Sequence, residues 1–203
     1  MPESGDLDVS RETLERLEVY ANLLRKWTRK INLIAPGTVD DLWGRHIRDS
    51  AQVFVVAHAS RGLWADIGSG GGLPGVVAAI IAAERAPELE FVCVESDQRK
   101  AVFLGIVSRE TGVPFRVVAD RIERIPPLGA AVLSARALAP LDILMGFAAR
   151  HLAADGVGMF QKGAQHEKER SDAEKNWQFR CETFTSCTDP DAVIYKVGAP
   201  RRV

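Results

Sequence analysis

The chain has little cysteine, no long apolar run and almost no excess charge, and each scarcity excludes something. Three cysteines in 203 residues (Cys93, Cys181 and Cys187) are few and odd in number. That argues against a disulfide framework and for a reducing compartment. Four scattered histidines, His46, His58, His151 and His166, show no metal-ligand spacing, so no metal is expected. The longest apolar stretch, Val76 to Ala83, is less than half of the roughly 20 residues that span a bilayer. The opening MPESGDLDVS is acidic and polar and lacks the basic and apolar regions of a secretory signal. A cytoplasmic protein without a membrane segment is expected. A net charge of −1 supplies no global attraction to a polyanion.

Hydrophobic content of 46% and charged content of 26% are those of a globular chain, and the length suits one domain with a sizeable core. Charge is uneven locally. Arg25, Lys26, Arg29, Lys30, Arg45 and Arg48 gather near the N-terminus, and Arg201 and Arg202 near the end. Such clusters can hold a polyanion in a protein that is neutral overall; a solvated helix face is the other reading.

Leu14, Leu17, Ala21, Leu24, Trp27 and Ile31 recur at three- and four-residue steps, predicting an amphipathic helix over 10–31 with Ser10 as its N-cap. Pro36 and Gly37 break it, and helix resumes through "DLWGRHIRDSAQVFVVAHA". From residue 63 short apolar runs alternate with helical segments. Strands are predicted at Leu63 to Ile67, Phe91 to Glu95, Phe115 to Ala119, Ala130 to Ser134 and Val157 to Gln161. Helices are predicted at 75–85, 97–111 and 140–153. This alternation indicates α/β architecture with a parallel sheet covered on both faces. "WQFRCETFTS" and "AVIYKVG", joined by "CTDPD", predict a closing antiparallel hairpin. The only internal boundary drawn is at residue 62, between an N-terminal helical extension (1–62, a candidate RNA contact) and the core (63–203).

"WADIGSGGGLPG" at 64–75 ends the first parallel strand, where open α/β sheets bind ligands. Glycine there allows positive φ and close backbone approach. A G-x-G-x-x-G frame from Gly68 needs glycine at 73 and meets Leu73; a shifted frame, Gly70-x-Gly72-x-x-Gly75, does match but encloses Pro74. A P-loop fails because no G-K-[ST] follows. Asp66, two residues before Gly68, would repel a pyrophosphate but can partner an amine, which favours S-adenosylmethionine over NAD. Glu95 closes the second strand, where a carboxylate can accept from both ribose hydroxyls.

At this point the residues carry a family resemblance. "DIGSGGGLPG" resembles the loop of class I S-adenosylmethionine-dependent methyltransferases. "WTRKINL", "RHIRDS", "GLPG", "ES…RKAVFL", "DRIE", "SARALAPL" and "QKG" resemble, in order, the RsmG (GidB) family, which methylates guanine N7 in 16S (small-subunit) ribosomal RNA. The likeness covers roughly residues 20 to 165. It implies a Rossmann-like, mostly parallel sheet with an antiparallel C-terminal strand. It also implies that Gly68 and Leu73 line the methionine and ribose side of the cofactor, that Asp66 and Gly70 shape the loop, and that Glu95 holds the ribose. Ile122 and Glu123 would sit beside the adenine, with Asp120 available to its amine. Arg136 would contact cofactor or substrate. Lys162 would point to the same rim, toward phosphate or guanine O6. His46 and Asp49 would tie the N-terminal helices to the core.

Guanine N7 carries an available lone pair at neutral pH, so its methylation needs no general base. "SARA" stands where amino-methyltransferases often carry N/D-P-P-Y/F, and Cys93 lies mid-strand, away from any carbon-5 nucleophile position. Arg136 or Lys162 would meet O6 or phosphate, since a cation at N7 opposes the charge formed there. The partner implied is 16S ribosomal RNA or the small ribosomal subunit, met by a monomer. Two other classes stand beside this: a nicotinamide oxidoreductase, weakened by Leu73 and by the lack of Tyr-x-x-x-Lys, and a non-catalytic RNA-binding protein on the same scaffold.

Overall fold

A computed structural model describes residues 7–203; the first six residues of the MPESGDLDVS segment lie outside it. The expected α/β architecture is present. Seven strands form one sheet in the order β3-β2-β1-β4-β5-β7-β6. They are β1 (Arg61–Ile67), β2 (Glu88–Val94), β3 (Arg116–Val118), β4 (Ala130–Arg136), β5 (Leu152–Lys162), β6 (Trp177–Thr185) and β7 (Val193–Arg202). The first five pair in parallel, and β7 runs antiparallel between β5 and β6. The terminal hairpin therefore inserts its second strand next to β5.

Helices cover both faces, and the period-2 alternation of each strand decides which side chain goes where. Phe91 and Cys93 join one apolar cluster while Val92 and Val94 join the other; Met159 and Phe160, like Ile194 and Tyr195, divide in the same way. One face packs α1 (Arg11–Thr28), α2 (Asp49–Ala57), α3 (Gly75–Arg85) and α4 (Gln98–Thr111). The other packs α5 (Leu141–His151) and α6 (His166–Glu174). Short strands buried on both faces explain the nearly unbroken apolar runs of the sequence.

α1 is capped by Ser10, whose hydroxyl accepts from Thr13 N, and Glu84 of α3 accepts from both Ser10 N and Thr13 Oγ1. Its apolar stripe, Leu17, Tyr20, Ala21 and Leu24, shares one cluster with Trp64, Val76 and Phe103. The N-terminal helices thus complete the core of the sheet, and β1 begins at Arg61, inside the segment assigned to the extension. The expected continuous helix after residue 41 is interrupted: Trp43–Arg48 form a π-helical turn before α2. A side chain at Gly44 would collide with the Asp41 carboxylate. The turn buries His46 and leaves Arg45 exposed. No helix among the described residues is long and apolar enough to cross a membrane.

Candidate active site

All the site residues predicted from the core lie at or near the carboxyl edge of the parallel strands. The glycine loop leaves β1 with Gly68, Gly70 and Gly72 at φ +61°, +56° and +92°, values that favour glycine. A side chain at Gly68 would strike Leu138, and the two residues line the adjoining cavity together. α1 clamps the loop from outside: Tyr20 donates its hydroxyl to Gly71 O at 2.7 Å, and Leu24 and Leu33 would meet any side chain at 71.

Asp66 lies beneath this loop. Alternation along β1 sends it to the same face as Trp64, and it is 1% exposed. Trp64 Nε1 donates to Ser134 Oγ at 2.8 Å, and Ser134 donates to Asp66 Oδ1 at 2.6 Å. Burial, outweighing the hydrogen bond from Ser134, pushes the Asp66 carboxyl up to about 6. Asp66 therefore lies buried beneath the loop, its carboxylate held by Ser134 inside the core. Leu73 is likewise buried, packed in the cluster shared with α1 and α3.

Glu95 stands just past the end of β2 and faces back toward the loop. Its Oε2 accepts from Gly70 N at 2.7 Å and its Oε1 from Asp97 N at 2.8 Å. Next to it opens a cavity of about 220 Å³ lined by Gly68, Ser96, Asp120, Ile122, Glu123 and Leu138. The structure thus brings together the "DRIE" residues and the loop. Ile122 is buried in the apolar cluster, Glu123 is exposed, and Asp120 accepts from Arg121 N. Leu138, Ile143 and Phe147 also line this cavity. Sequence reasoning missed Ile143 and Phe147 because they look like ordinary helix residues, and Leu138 because it sits in the short link before that helix; their incomplete burial beside the glycine loop distinguishes them.

Beyond Arg136 lies a second cavity of about 360 Å³. Arg136 ends β4, and the next residue, Ala137, takes the left-handed φ of +51°, a strain that tends to persist where a site needs it. Arg136 Nη2 donates to His46 Nδ1. Thr38 gives its own proton to Ala35 O at 2.8 Å, so it must accept from His46 Nε2, 2.7 Å away. These partners fix a neutral His46 with its proton on Nε2. Burial, with the Arg136 and Arg45 charges, pushes His46 down to about 4. Asp49 Oδ2 lies 3.8 Å from Arg136 Nη1 and accepts from Gln161, while its Oδ1 accepts from Ser186 Oγ at 2.7 Å. His46 and Asp49 thus tie the N-terminal helices to β4, β5 and the terminal hairpin.

Lys162 lines the same cavity as Arg136, with its ammonium held by protein partners. Its side chain is 7% exposed; Nζ pairs with Glu169 Oε2 at 2.6 Å and donates to Ala139 O at 2.8 Å. Glu169 also accepts from Leu141 N. The lysine clamps the 137–141 segment against α6. α6 and the hairpin decide this, and they lie beyond the segment whose motifs were legible.

The basic residues near the N-terminus divide between two places. Arg25 donates to Asn22, Lys30 lies 5.8 Å from the Trp27 ring, and Lys26 and Arg29 are exposed at the end of α1. Arg45 lines the larger cavity, and Arg48 is half-buried beside Cys187.

The neighbouring titrations make a pH test. Between pH 6.5 and about 4 the unfolded chain holds a proton at His46 that the folded chain does not, so the stability from this group falls as pH drops. Asp66, raised to about 6, works in the opposite sense, its burial being relieved as pH falls from there toward 3.8. His46→Asn removes the first effect alone. Urea denaturation at pH 7 and pH 5 should show the variant's deficit relative to wild type shrinking on acidification; a constant deficit would mean that folded His46 takes up the proton.

The sequence matches the family described as "GidB: rRNA small subunit methyltransferase G" over residues 13–193. The chain belongs to the rRNA small subunit methyltransferase G family. Relatives bearing the name ribosomal RNA small subunit methyltransferase G are close in sequence. That of Ruegeria sp. (strain TM1040) is 54% identical over 98% of this chain and 96% of its own. That of Ruegeria pomeroyi is 50% identical over 100% and 99%. Among solved structures, an S-adenosylmethionine-dependent methyltransferase from Aquifex aeolicus shares the fold, with a TM-score of 0.61 at 10% identity, covering 86% of this chain and 98% of that one. The site of this methyltransferase-family member fits S-adenosylmethionine. The glycine loop allows close backbone approach, Glu95 keeps acceptor capacity that ribose hydroxyls would use, and Ile122 and Leu138 give an apolar wall that would suit an adenine.

Proposed function

We propose that the protein is an S-adenosylmethionine-dependent enzyme that methylates N7 of a guanine in 16S ribosomal RNA, acting as a monomer in the cytoplasm. The family match over residues 13–193 carries this reading; it leaves no ground for the nicotinamide alternative. The cofactor supplies an electrophilic methyl group. The chain's residues do the rest by positioning, which can contribute on the order of 7–11 kcal/mol to lowering a barrier.

The reading needs no proton acceptor beside the nucleophile, and the groups held around Arg136 and Lys162 supply none. His46 has both ring nitrogens committed, and Asp49 and Glu169 are held by protein donors. Arg136 would donate to guanine O6 or to phosphate, the commonest type of specific contact to guanine in duplexes. The Asp49 carboxylate near its guanidinium limits repulsion of the positive charge formed at N7. Lys162 contributes by holding the wall next to Arg136. Asp120, Ile122 and Glu123 form the adenine side, with Gly68, Gly70 and Leu73 around the remainder of the cofactor.

RNA backbone would run from Arg45 at the cavity toward Arg25, Lys26, Arg29 and Lys30. Replacing Lys26 and Arg29 by alanine should weaken RNA binding about 10-fold at low salt and flatten its salt dependence by one to two units of slope, roughly one per phosphate contact. Calorimetric affinity for S-adenosylmethionine should be unchanged; equal loss of both would contradict separate surfaces. The function itself is tested by mass spectrometry of ribosomal RNA nucleosides from a strain lacking the protein. 7-Methylguanosine in the small-subunit RNA should disappear, and its persistence would overturn the assignment.

A further inference from the structure

We propose that Asp189, in the turn joining β6 to β7, reads the N1–H and N2 amine of the target guanine and so sets the enzyme's choice of base. This rests on the guanine-N7 reading. The sheet order places the subsites in a row along the carboxyl edge: "DRIE" after β3, Glu95 after β2, the glycine loop after β1, then Arg136 on β4 and Gln161 on β5. Beyond them Lys162 pairs with Val193 and Val193 with Thr185, so the 186–192 turn closes the row. A guanine whose N7 meets the methyl group from the glycine-loop side has O6 next to Arg136. Its N1–H and N2 amine lie across the ring system from N7, toward that turn.

The turn is built to hold a position. Ser186 donates to Asp49 Oδ1, Cys187 N donates to Gln52 Oε1 at 2.8 Å, and Gln52 Nε2 donates to Thr185 O at 2.8 Å. Of the three carboxylates lining the cavity, Asp49 is committed to Ser186 and Gln161. Glu169 is committed to Lys162 and Leu141 N. The Asp189 carboxylate accepts one hydrogen bond, from Asp191 N at Oδ1, and the residue is half-buried at the cavity wall. An ionised carboxylate only accepts. Guanine offers two donors on that edge, whereas adenine places the N1 lone pair there, so the same wall attracts one purine and repels the other.

The test uses small ribosomal subunits reconstituted with guanosine or inosine at the target position; inosine lacks the N2 amine. Single-turnover rates are measured for wild type, Asp189→Ala and Asp189→Asn, with the methylated atom mapped by mass spectrometry. Wild type should prefer guanosine about 10–100-fold, the worth of one hydrogen bond to a charged group. Asp189→Ala should lose more than that factor on guanosine, since both contacts go, and bring the guanosine-to-inosine ratio close to one. Affinity for S-adenosylmethionine and melting temperature should stay at wild-type values, which separates base reading from a folding defect. A preserved ratio in Asp189→Ala, with the methyl group on N7, would overturn the proposal alone. A methyl group on any other atom would overturn the N7 reading and this proposal with it.

Discussion

Replacement of Glu95 by alanine is expected to raise the dissociation constant for S-adenosylmethionine about 100-fold, measured by calorimetry. The carboxylate is fixed by Gly70 N and Asp97 N, so the ribose hydroxyls would meet acceptors whose orientation is already paid for. Each hydrogen bond to a charged group contributes about 1.5–3 kcal/mol, and two at the low end give roughly the stated factor. The loss has a second component: without Glu95 the amide of Gly70 has no carboxylate to hold it, and the loop's positive-φ geometry is less constrained. Glu95→Gln keeps one amide oxygen as acceptor and should lose only about 10-fold. An alanine variant with wild-type affinity would remove Glu95 from the cofactor site.

The largest stability effect should come from Gly75→Ala at the first turn of α3. A methyl group there would overlap Asp66 Cβ and lie 2.6 Å from its Cγ and 2.8 Å from its Oδ2. Those atoms belong to the rigid end of β1, and Asp66 is held by the Trp64–Ser134 chain, so neither side can yield cheaply. Overpacking of this kind costs about 3 kcal/mol, which lowers the Tm of a domain this size by about 6–10 °C. Gly105→Ala, on the exposed side of α4, is the contrasting case. Nothing lies within 4 Å of the added carbon, and helix propensity should stabilise the protein by about 0.5–1 kcal/mol. Equal melting temperatures for the two variants would mean that Asp66 does not pack against α3 as described.

Local signals carried most of the architecture. Apolar alternation located the parallel strands, and the helix over 75–85 was legible to the residue because Gly and Pro punctuate both its neighbours. β3 shortened to Arg116–Val118 and β5 lengthened back to Leu152, since strand ends are set by pairing partners that periodicity does not reveal. The positions of the residues proposed to hold the cofactor were legible for a related reason. These residues, from Gly68 through Glu95 to Ile122, follow directly on three strand ends, and chain position in a parallel sheet fixes the edge on which they emerge.

The substrate side was not. Lys162 lies on the rim beside Arg136, but its charge is paired with Glu169, a residue of a charged helix whose docking no local pattern announces. Asp49, Ser186 and Asp189 are separated by up to 140 positions, yet they line one cavity because β7 inserts beside β5. By itself the sequence determined the sheet class and the strand-end positions of the glycine loop and of Glu95, since these depend on short-range geometry and on residues adjacent in the chain. The tertiary structure alone decided which charges are satisfied and which face the substrate, because satisfaction depends on partners that meet only once the sheet has closed.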